Sequence, residues 1–295
     1  MKEVSVVDDA TYEAPGSLGD LLDLLDGRKV TIVAGATDVM PKVNDGVLKP
    51  SHLVYIGKAG LDGIRKESGR LILGAATTLS DLLESDLVRE WAPLLAEALA
   101  NMAGASIRNI ATIGGNLCNA SPAADTAVPL LVMNARLVLV SSKGKRTVPI
   151  DGFFTGPGKT VLSPDEILSE IIMDTGPHRG AFIKIGQRKD ETLSVVSAAV
   201  RVVEEDGICV QARIAMGSVA PRPLRCHKAE EMLAGQAITG ELCRRAAALA
   251  GEYATPIDDG RATAWYRKRV APVLVERVLR RSFGLEEKDN REVSD

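Results

Sequence analysis

The chain has 295 residues, 45% of them hydrophobic and 25% charged, with a formal net charge of −3. That length accommodates two domains of ordinary size with real cores, and the charge balance gives no electrostatic footprint for nucleic acid or an anionic membrane. The longest apolar stretches, such as Ala127 to Met133, fall well short of a membrane span, and Met1-Lys2-Glu3-Val4-Ser5 lacks a signal-peptide pattern, so the expected location is the cytoplasm.

In chain order, Ser17 can cap a short helix through Leu25 that ends at Gly27, and a buried strand over Lys29 to Val33 follows. The strand runs into Val33-Ala34-Gly35-Ala36-Thr37-Asp38, a glycine-containing turn with a polar pair, a common way to present amide N–H groups to a diphosphate. β-prone runs at Gly63 to Lys66 and Arg70 to Leu73 flank Ser68-Gly69 and predict a hairpin. Apolar residues at helical spacing cover Leu79 to Leu83 and Val88 to Met102. The second of these runs delivers the chain to a loop of small residues from Ala111 to Asp125. A helix over Ala124 to Met133 comes next, its N-terminal dipole end toward whatever that loop holds, with Pro129 disturbing its first turn. Strands over Arg136 to Val140 and Lys145 to Val148 are hinged at Lys143-Gly144.

The pattern changes near Thr175-Gly176-Pro177, where a domain boundary is expected. Beyond it, Ala181 to Ile185, Ser194 to Val203 and Ile208 to Met216 read as strands, with Glu204-Glu205-Asp206-Gly207 as a hairpin turn. Helices follow over His227 to Ala234, Thr239 to Ala250 and Asp259 to Leu279, which makes an α+β module. The charged tail from 285 to 295 has almost no large apolar residues and is expected to be disordered.

The loop Ala111-Thr112-Ile113-Gly114-Gly115-Asn116-Leu117-Cys118-Asn119-Ala120-Ser121-Pro122-Ala123-Ala124-Asp125 reads as a cradle for a large anionic cofactor, with an ordinary Gly-Gly turn as the bland alternative. Adjacent glycines allow left-handed torsions and close backbone approach, so successive N–H groups can converge on phosphate oxygens. Thr112, Asn116, Asn119 and Ser121 add hydrogen-bonding side chains, and Asp125 suits hydroxyl or ring N–H donors. Neither loop is a GxGxxG fingerprint, and no GxxxxGK[ST] phosphate loop occurs. Cys118, Cys209, Cys226 and Cys243 are scattered, with no CxxC pair and no histidine at metal-ligand spacing, so no metal site or iron–sulfur cluster is expected in this chain. No catalytic triad or paired-carboxylate site emerges, and no catalytic residue is assigned.

The two loops resemble those of the FAD-binding subunits of the molybdenum hydroxylases, the xanthine dehydrogenase and carbon monoxide dehydrogenase flavoprotein family. In that family an AGGTD-like loop and a TIGGN loop hold the FAD diphosphate; this chain has Ala34-Gly35-Ala36-Thr37-Asp38 and Thr112-Ile113-Gly114-Gly115-Asn116. One departure is Ala36, which stands where the family usually has glycine and would be strained by about 1 kcal/mol or more if left-handed. The resemblance covers nearly the whole chain. It implies an α+β fold, with a two-lobed FAD-binding domain of the vanillyl-alcohol-oxidase type over 1–175 (lobes 1–57 and 58–175). A small C-terminal domain with a three-stranded antiparallel sheet and helices would occupy 176–284.

By the same resemblance the FAD-contacting residues would be Val33 to Asp38, Met102, Thr112 to Asn116, Cys118, Ser121, Asp125, Leu168 and Lys184, with Arg188 a weaker candidate beside Lys184. A lysine near the flavin would stabilise its anionic reduced form. His52, His178 and His227 lie outside these motifs, so FAD would be held noncovalently. The implied activity is that of an oxidoreductase subunit: electrons arrive from the [2Fe–2S] clusters of a small partner subunit and pass to NAD+ or another acceptor. A large partner subunit would carry molybdopterin, the whole forming a heterotrimer or a dimer of heterotrimers, with no nucleic-acid or membrane partner. A stand-alone flavin oxidoreductase of the same fold and a scaffold subunit without FAD are the alternatives.

Overall fold

The computed structural model describes residues 10–188 and 191–285, so past Leu285 the charged tail and its expected disorder lie outside the described residues. After a short strand β1 (Thr11–Glu13), the Ser17 hydroxyl accepts from the Asp20 N–H at 3.1 Å and starts α1 (Leu18–Leu25), which buries Leu21 and Leu25 one turn apart. Next come β2 (Thr31–Val33), α2 (Val39–Asn44) and β3 (His52–Tyr55). Strands β1 and β2 both run parallel to β3, giving a three-stranded sheet whose core includes Leu21, Leu25, Val54, Ile56 and Leu61.

The expected hairpin is β4 (Ile64–Glu67) and β5 (Arg70–Gly74), turned by Ser68 and Gly69 at φ +49° and +73°, the left-handed pair a two-residue hairpin needs. Then follow α3 (Leu79–Glu84), α4 (Asp86–Trp91) and α5 (Pro93–Ala100). The single helical run expected from Val88 to Met102 is broken at Ala92. Pro93 has no N–H to donate and forces Ala92 out of the helical region, to φ −136° and ψ 53°.

After α6 (Ala105–Arg108) the small-residue stretch forms α7 (Ile113–Asn119) and then α8 (Ala127–Val132). The helix expected from Ala124 thus begins at Ala127; Pro129 sits in its first turn, where a missing N–H costs no intrahelical bond. Strands β6 (Arg136–Ser141), β7 (Gly144–Pro149), β8 (Phe154–Gly156), β9 (Lys159–Thr160) and β10 (Ile167–Asp174) complete the N-terminal region. Sequence reading missed β10, yet it is the middle strand of an antiparallel sheet ordered β4-β5-β10-β6-β7.

The C-terminal region has the three long strands expected, β11 (Arg179–Ile185), β12 (Val196–Glu205) and β13 (Ile208–Gly217), paired antiparallel in that order. The two-residue strand β14 (Leu224–Arg225) extends the sheet, α9 (His227–Leu233) follows, and β15 (Gln236–Ala237) pairs with the far end of β13. Helices α10 (Gly240–Gly251) and α11 (Ala264–Phe283) cover one face. Helix α11 starts five residues later than expected because Thr263 supplies the cap, while Asp259, left in the preceding turn, binds its neighbour Arg261 and Arg267 of the helix itself. Alternation along the strands divides the sheet: Ala198, Val200 and Ile214 join the helical core, whereas Phe182, Ala199 and Ala215 join the core of the N-terminal region.

Candidate functional site

A cavity of about 260 Å³ lies where the β2–α2 loop, the first turn of α7 and the start of β10 meet. Its walls are Ile32, Ala34, Gly35, Ala36, Thr37, Asp38, Val39, Ile56, Ala75, Ala111, Thr112, Gly114, Gly115, Asn116, Cys118, Asn119, Leu162, Glu166, Ile167 and Leu168. The two loops singled out in the sequence therefore face each other across one space. Gly35 makes this possible: a Cβ there would lie 1.9 Å from the Ile110 carbonyl oxygen and 2.8 Å from the Ala111 Cα, so only glycine lets the first loop rest on the backbone leading to α7.

The two loops offer different chemistry. Among the described hydrogen bonds, the backbone N–H groups of Gly35, Ala36, Thr37 and Asp38 have no partner. Ala36 is left-handed, at φ +61°, which carries the strain anticipated for alanine, about 1 kcal/mol. A left-handed residue among successive free N–H groups is a concave arrangement suited to an anion. By contrast, the N–H groups of Ile113, Gly114 and Asn116 bond to the carbonyls of Thr77, Ala75 and Thr112, and that of Gly115 to the Thr112 hydroxyl at 3.1 Å. The expectation of convergent, left-handed amides at Gly114-Gly115 is therefore corrected. Both glycines are helical, and Gly114 serves close packing: a Cβ there would sit 2.6 Å from the Ala75 side chain and carbonyl oxygen. Gly115 is exposed on the cavity wall.

The side chains around the cavity are individually fixed. The Thr126 hydroxyl donates to the Asn116 Oδ1 at 2.6 Å, and the Lys42 ammonium donates to the Asn119 Oδ1 at 2.9 Å. Arg146 grips Glu166 with two bonds of 2.6 and 2.8 Å; this, with the Ser163 N–H, holds the Glu166 carboxyl down at about 2 and keeps it ionised. Burial pushes the Cys118 thiol up to about 12, so it lines the cavity as an inert small group. Ile32, Ile56, Leu162, Ile167 and Leu168 make one wall apolar.

Seven of the residues named from the sequence, counting the weaker candidate Arg188, do not line this cavity. Val33 ends β2, Ile113 is buried in the core, and half-buried Met102 packs against it. The Ser121 hydroxyl accepts from the Ala123 N–H at 3.2 Å within its own turn. Asp125 and Lys184 meet each other: the ammonium donates to the Asp125 Oδ2 at 2.8 Å and to the Thr192 carbonyl at 3.0 Å, while the Ser194 hydroxyl donates to the Asp125 Oδ1 at 2.5 Å. Their side chains are 4% and 7% exposed. Burial pushes the Asp125 carboxyl up, against the pull of Lys184 and Ser194. Arg188 donates to the Glu191 carbonyl at 2.7 Å and is exposed. Helix α8, whose N-terminus was expected to face the ligand, contributes no residue to the cavity and is buried along its length.

Glu166, Leu162, Ile56 and Ala75 were not found by sequence reading. Only Ala75 left a trace, in the small-residue run Gly74-Ala75-Ala76-Thr77-Thr78 that mirrors the character of the two loops. Among the described residues no group of His, Cys, Asp and Glu could hold a metal, all four cysteines are free, and no helix is long and apolar enough to cross a membrane.

A family model described as the FAD binding domain in molybdopterin dehydrogenase matches residues 7–173, and one described as the CO dehydrogenase flavoprotein C-terminal domain matches residues 181–282. The chain is 38% identical over 230 residues to the putative xanthine dehydrogenase FAD-binding subunit of Escherichia coli K12, covering 76% of this chain and 79% of that protein. It is 34% identical over 276 residues to the carbon monoxide dehydrogenase medium chain of Hydrogenophaga pseudoflava, covering 91% and 95%. A solved carbon monoxide dehydrogenase from that bacterium superposes with a TM-score of 0.91 at 33% identity, over 93% of this chain and 97% of that one. Quinoline 2-oxidoreductase from Pseudomonas putida 86 superposes with a TM-score of 0.88 at 28% identity, again over 93% and 97%.

Proposed function

Because the chain belongs to the family of FAD-binding subunits of the molybdenum hydroxylases, with that family's FAD-binding and C-terminal flavoprotein domains, we infer that it holds FAD noncovalently between the 34–38 loop and α7. The observation that carries this is the set of free N–H groups from Gly35 to Asp38 around left-handed Ala36, opening into a cavity with one apolar wall. These residues fit the group: the N–H groups would hold the diphosphate, since among the described residues no lysine or arginine lines the cavity to do so. Asp38, Thr112, Asn116 and Asn119 would bind hydroxyl and ring polar groups, and Ile32, Leu162 and Leu168 would cover apolar surface and exclude water. None of the three histidines lines the cavity, which supports noncovalent binding.

When bound, FAD supplies a carrier that takes electrons singly or in pairs. The chain's own contribution is placement and electrostatics: Glu166, kept ionised by Arg146, puts one neutralised pair on the wall, and Lys184 with Asp125 puts another at the seam between the two regions. The subunit would take electrons from the [2Fe–2S] clusters of a small partner and pass them to NAD+ or another acceptor. A molybdopterin-bearing large partner would complete a cytoplasmic heterotrimer or its dimer.

Isolation from native cells, with visible absorption and metal analysis of what co-purifies, tests the assignment. Flavin together with molybdenum and iron, in company with a large and a small chain, is the expected result. Flavin on a solitary chain would replace it with a stand-alone flavoenzyme, and a chain without flavin would replace it with a scaffold.

A further inference from the structure

Away from the cleft, the face that β11, β12 and β13 turn toward the N-terminal region carries a cationic seam. Arg201 on β12 and Arg213 on β13 are direct cross-strand partners, so their side chains leave the sheet side by side. Arg201 is only 7% exposed, and Arg213 is half-buried. Buried guanidinium groups are ordinarily matched by a carboxylate. Here Asp174, which attracts both, is already bound to Arg136 at 2.9 Å and lies 3.7 Å from Arg70; among the described residues it contacts neither Arg201 nor Arg213. Glu230, the other acid that attracts Arg213, is held by two bonds from Arg225.

What the two arginines do bind is neutral and weak. Arg201 reaches the Gln211 Oε1 at 3.3 Å and Arg213 the Val132 carbonyl at 3.5 Å. The Nε of Arg201 is buried without a partner among the described residues, as is the Nε2 of neighbouring His178, whose Nδ1 bonds to the Gly176 carbonyl at 2.9 Å. Burial, and then the charge of Arg213, pull the Arg201 guanidinium down to about 10, against the more distant pull of Asp174.

We propose that this seam is a binding site for a small oxyanion of the sulfate or phosphate class, held jointly by the guanidinium groups of Arg201 and Arg213. A tetrahedral oxyanion presents several acceptor oxygens to forked donors. It would supply the missing acceptor for the Arg201 Nε and cancel the repulsion between two like charges on adjacent strands. The site stands apart from the FAD cleft: Asp174 and Leu168 are at opposite ends of β10, on the order of 20 Å apart at the rise of a β-strand. The anion could be free or the phosphate of an ester, since the recognising chemistry is the same.

The test is calorimetric titration of the FAD-saturated full-length chain with sodium sulfate, sodium phosphate and glycerol phosphate, with sodium chloride balancing the ionic strength. Saturable binding of the divalent anions is expected, weakened about ten-fold or more by Arg213→Met, the loss of a charged hydrogen bond. Arg201→Met should abolish it, Arg201→Lys should retain a weakened form, and Arg244→Met on the exposed face of α10 should bind as the parent does. Tighter binding of the ester assigns the site to a phosphomonoester, and equal binding to the free anion. Absence of saturable binding, or equal binding by the parent, Arg213→Met and Arg201→Lys, would overturn the proposal; these two variants decide it if Arg201→Met does not fold.

Discussion

Replacing Lys184 with methionine strips Asp125 of its counter-ion inside a seam where the two side chains are 7% and 4% exposed. The carboxylate would keep the Ser194 hydroxyl at 2.5 Å, and the Thr192 carbonyl would lose a donor. Breaking one side of a buried ion pair costs about 3–5 kcal/mol. Protonation of Asp125 limits that cost, and its sign is definite. Burial already raises this carboxyl in the folded state, and losing Lys184 raises it further. A raised acid makes its full contribution below its unfolded value and loses it as pH climbs through the folded value. The variant should therefore weaken as pH rises above the ordinary carboxylate value, by at most about 1.4 kcal/mol per pH unit. Urea unfolding of the parent, Lys184→Met, Asp125→Asn and the double variant over a series of pH values measures this. The double variant should recover a large part of the loss, with a coupling of about 1–3 kcal/mol. A single variant within about 0.5 kcal/mol of the parent, with additive effects in the cycle, would show that the pair behaves as a surface contact and that the burial argument is wrong.

Four further outcomes are expected. Ala36→Gly removes about 1 kcal/mol of left-handed strain but loosens the unfolded chain by a similar amount; stability should stay near the parent and FAD should bind no more weakly, whereas a weaker dissociation constant would place the Ala36 methyl group against the cofactor. Gly35→Ala drives a methyl into the Ile110 carbonyl, which has no rotamer by which to yield, so it should destabilise by about 1–3 kcal/mol and release FAD; flavin stoichiometry and melting temperature unchanged from the parent would remove the loop contact from the argument. Glu166, depressed to about 2 from its ordinary 4.5, contributes stability that is present above pH 4.5 and fades as pH falls toward 2; Glu166→Gln should flatten that part of the acid-unfolding curve, and an unaltered curve would mean the Arg146 grip is not maintained in solution. In the FAD-loaded chain Lys184→Met should lower the flavin potential, and an unshifted redox titration would leave the lysine a purely structural role.

Local chemistry was readable in advance; pairing between distant segments was not. Ser17 announces its helix because one hydroxyl caps it, and Ser68-Gly69 announces its hairpin because the turn itself demands left-handed residues. Strand β10 carries Glu170 in a run with no clean alternation, and it is a strand because β5 and β6 flank it. The cleft divides the same way. Its two small-residue loops were visible, whereas Glu166, Leu162 and Ala75 reach it through pairings that only the folded sheet creates. Thr112-Ile113-Gly114-Gly115-Asn116 misled because two glycines disfavour a helix on propensity; the Thr112 cap and the Ala75 carbonyl override that preference.

The core of the N-terminal region is closed by Phe182, Ala199 and Ala215, which belong to the sheet that follows it in the chain. On a ribosome, the segment through Asp174 therefore emerges before the residues that cover α5 and α8 exist, and it waits with apolar surface bare. A chain stopped at 175 should aggregate, even though it would contain both loops of the cleft. Synthesis order thus makes the C-terminal sheet the lid of a core it did not start.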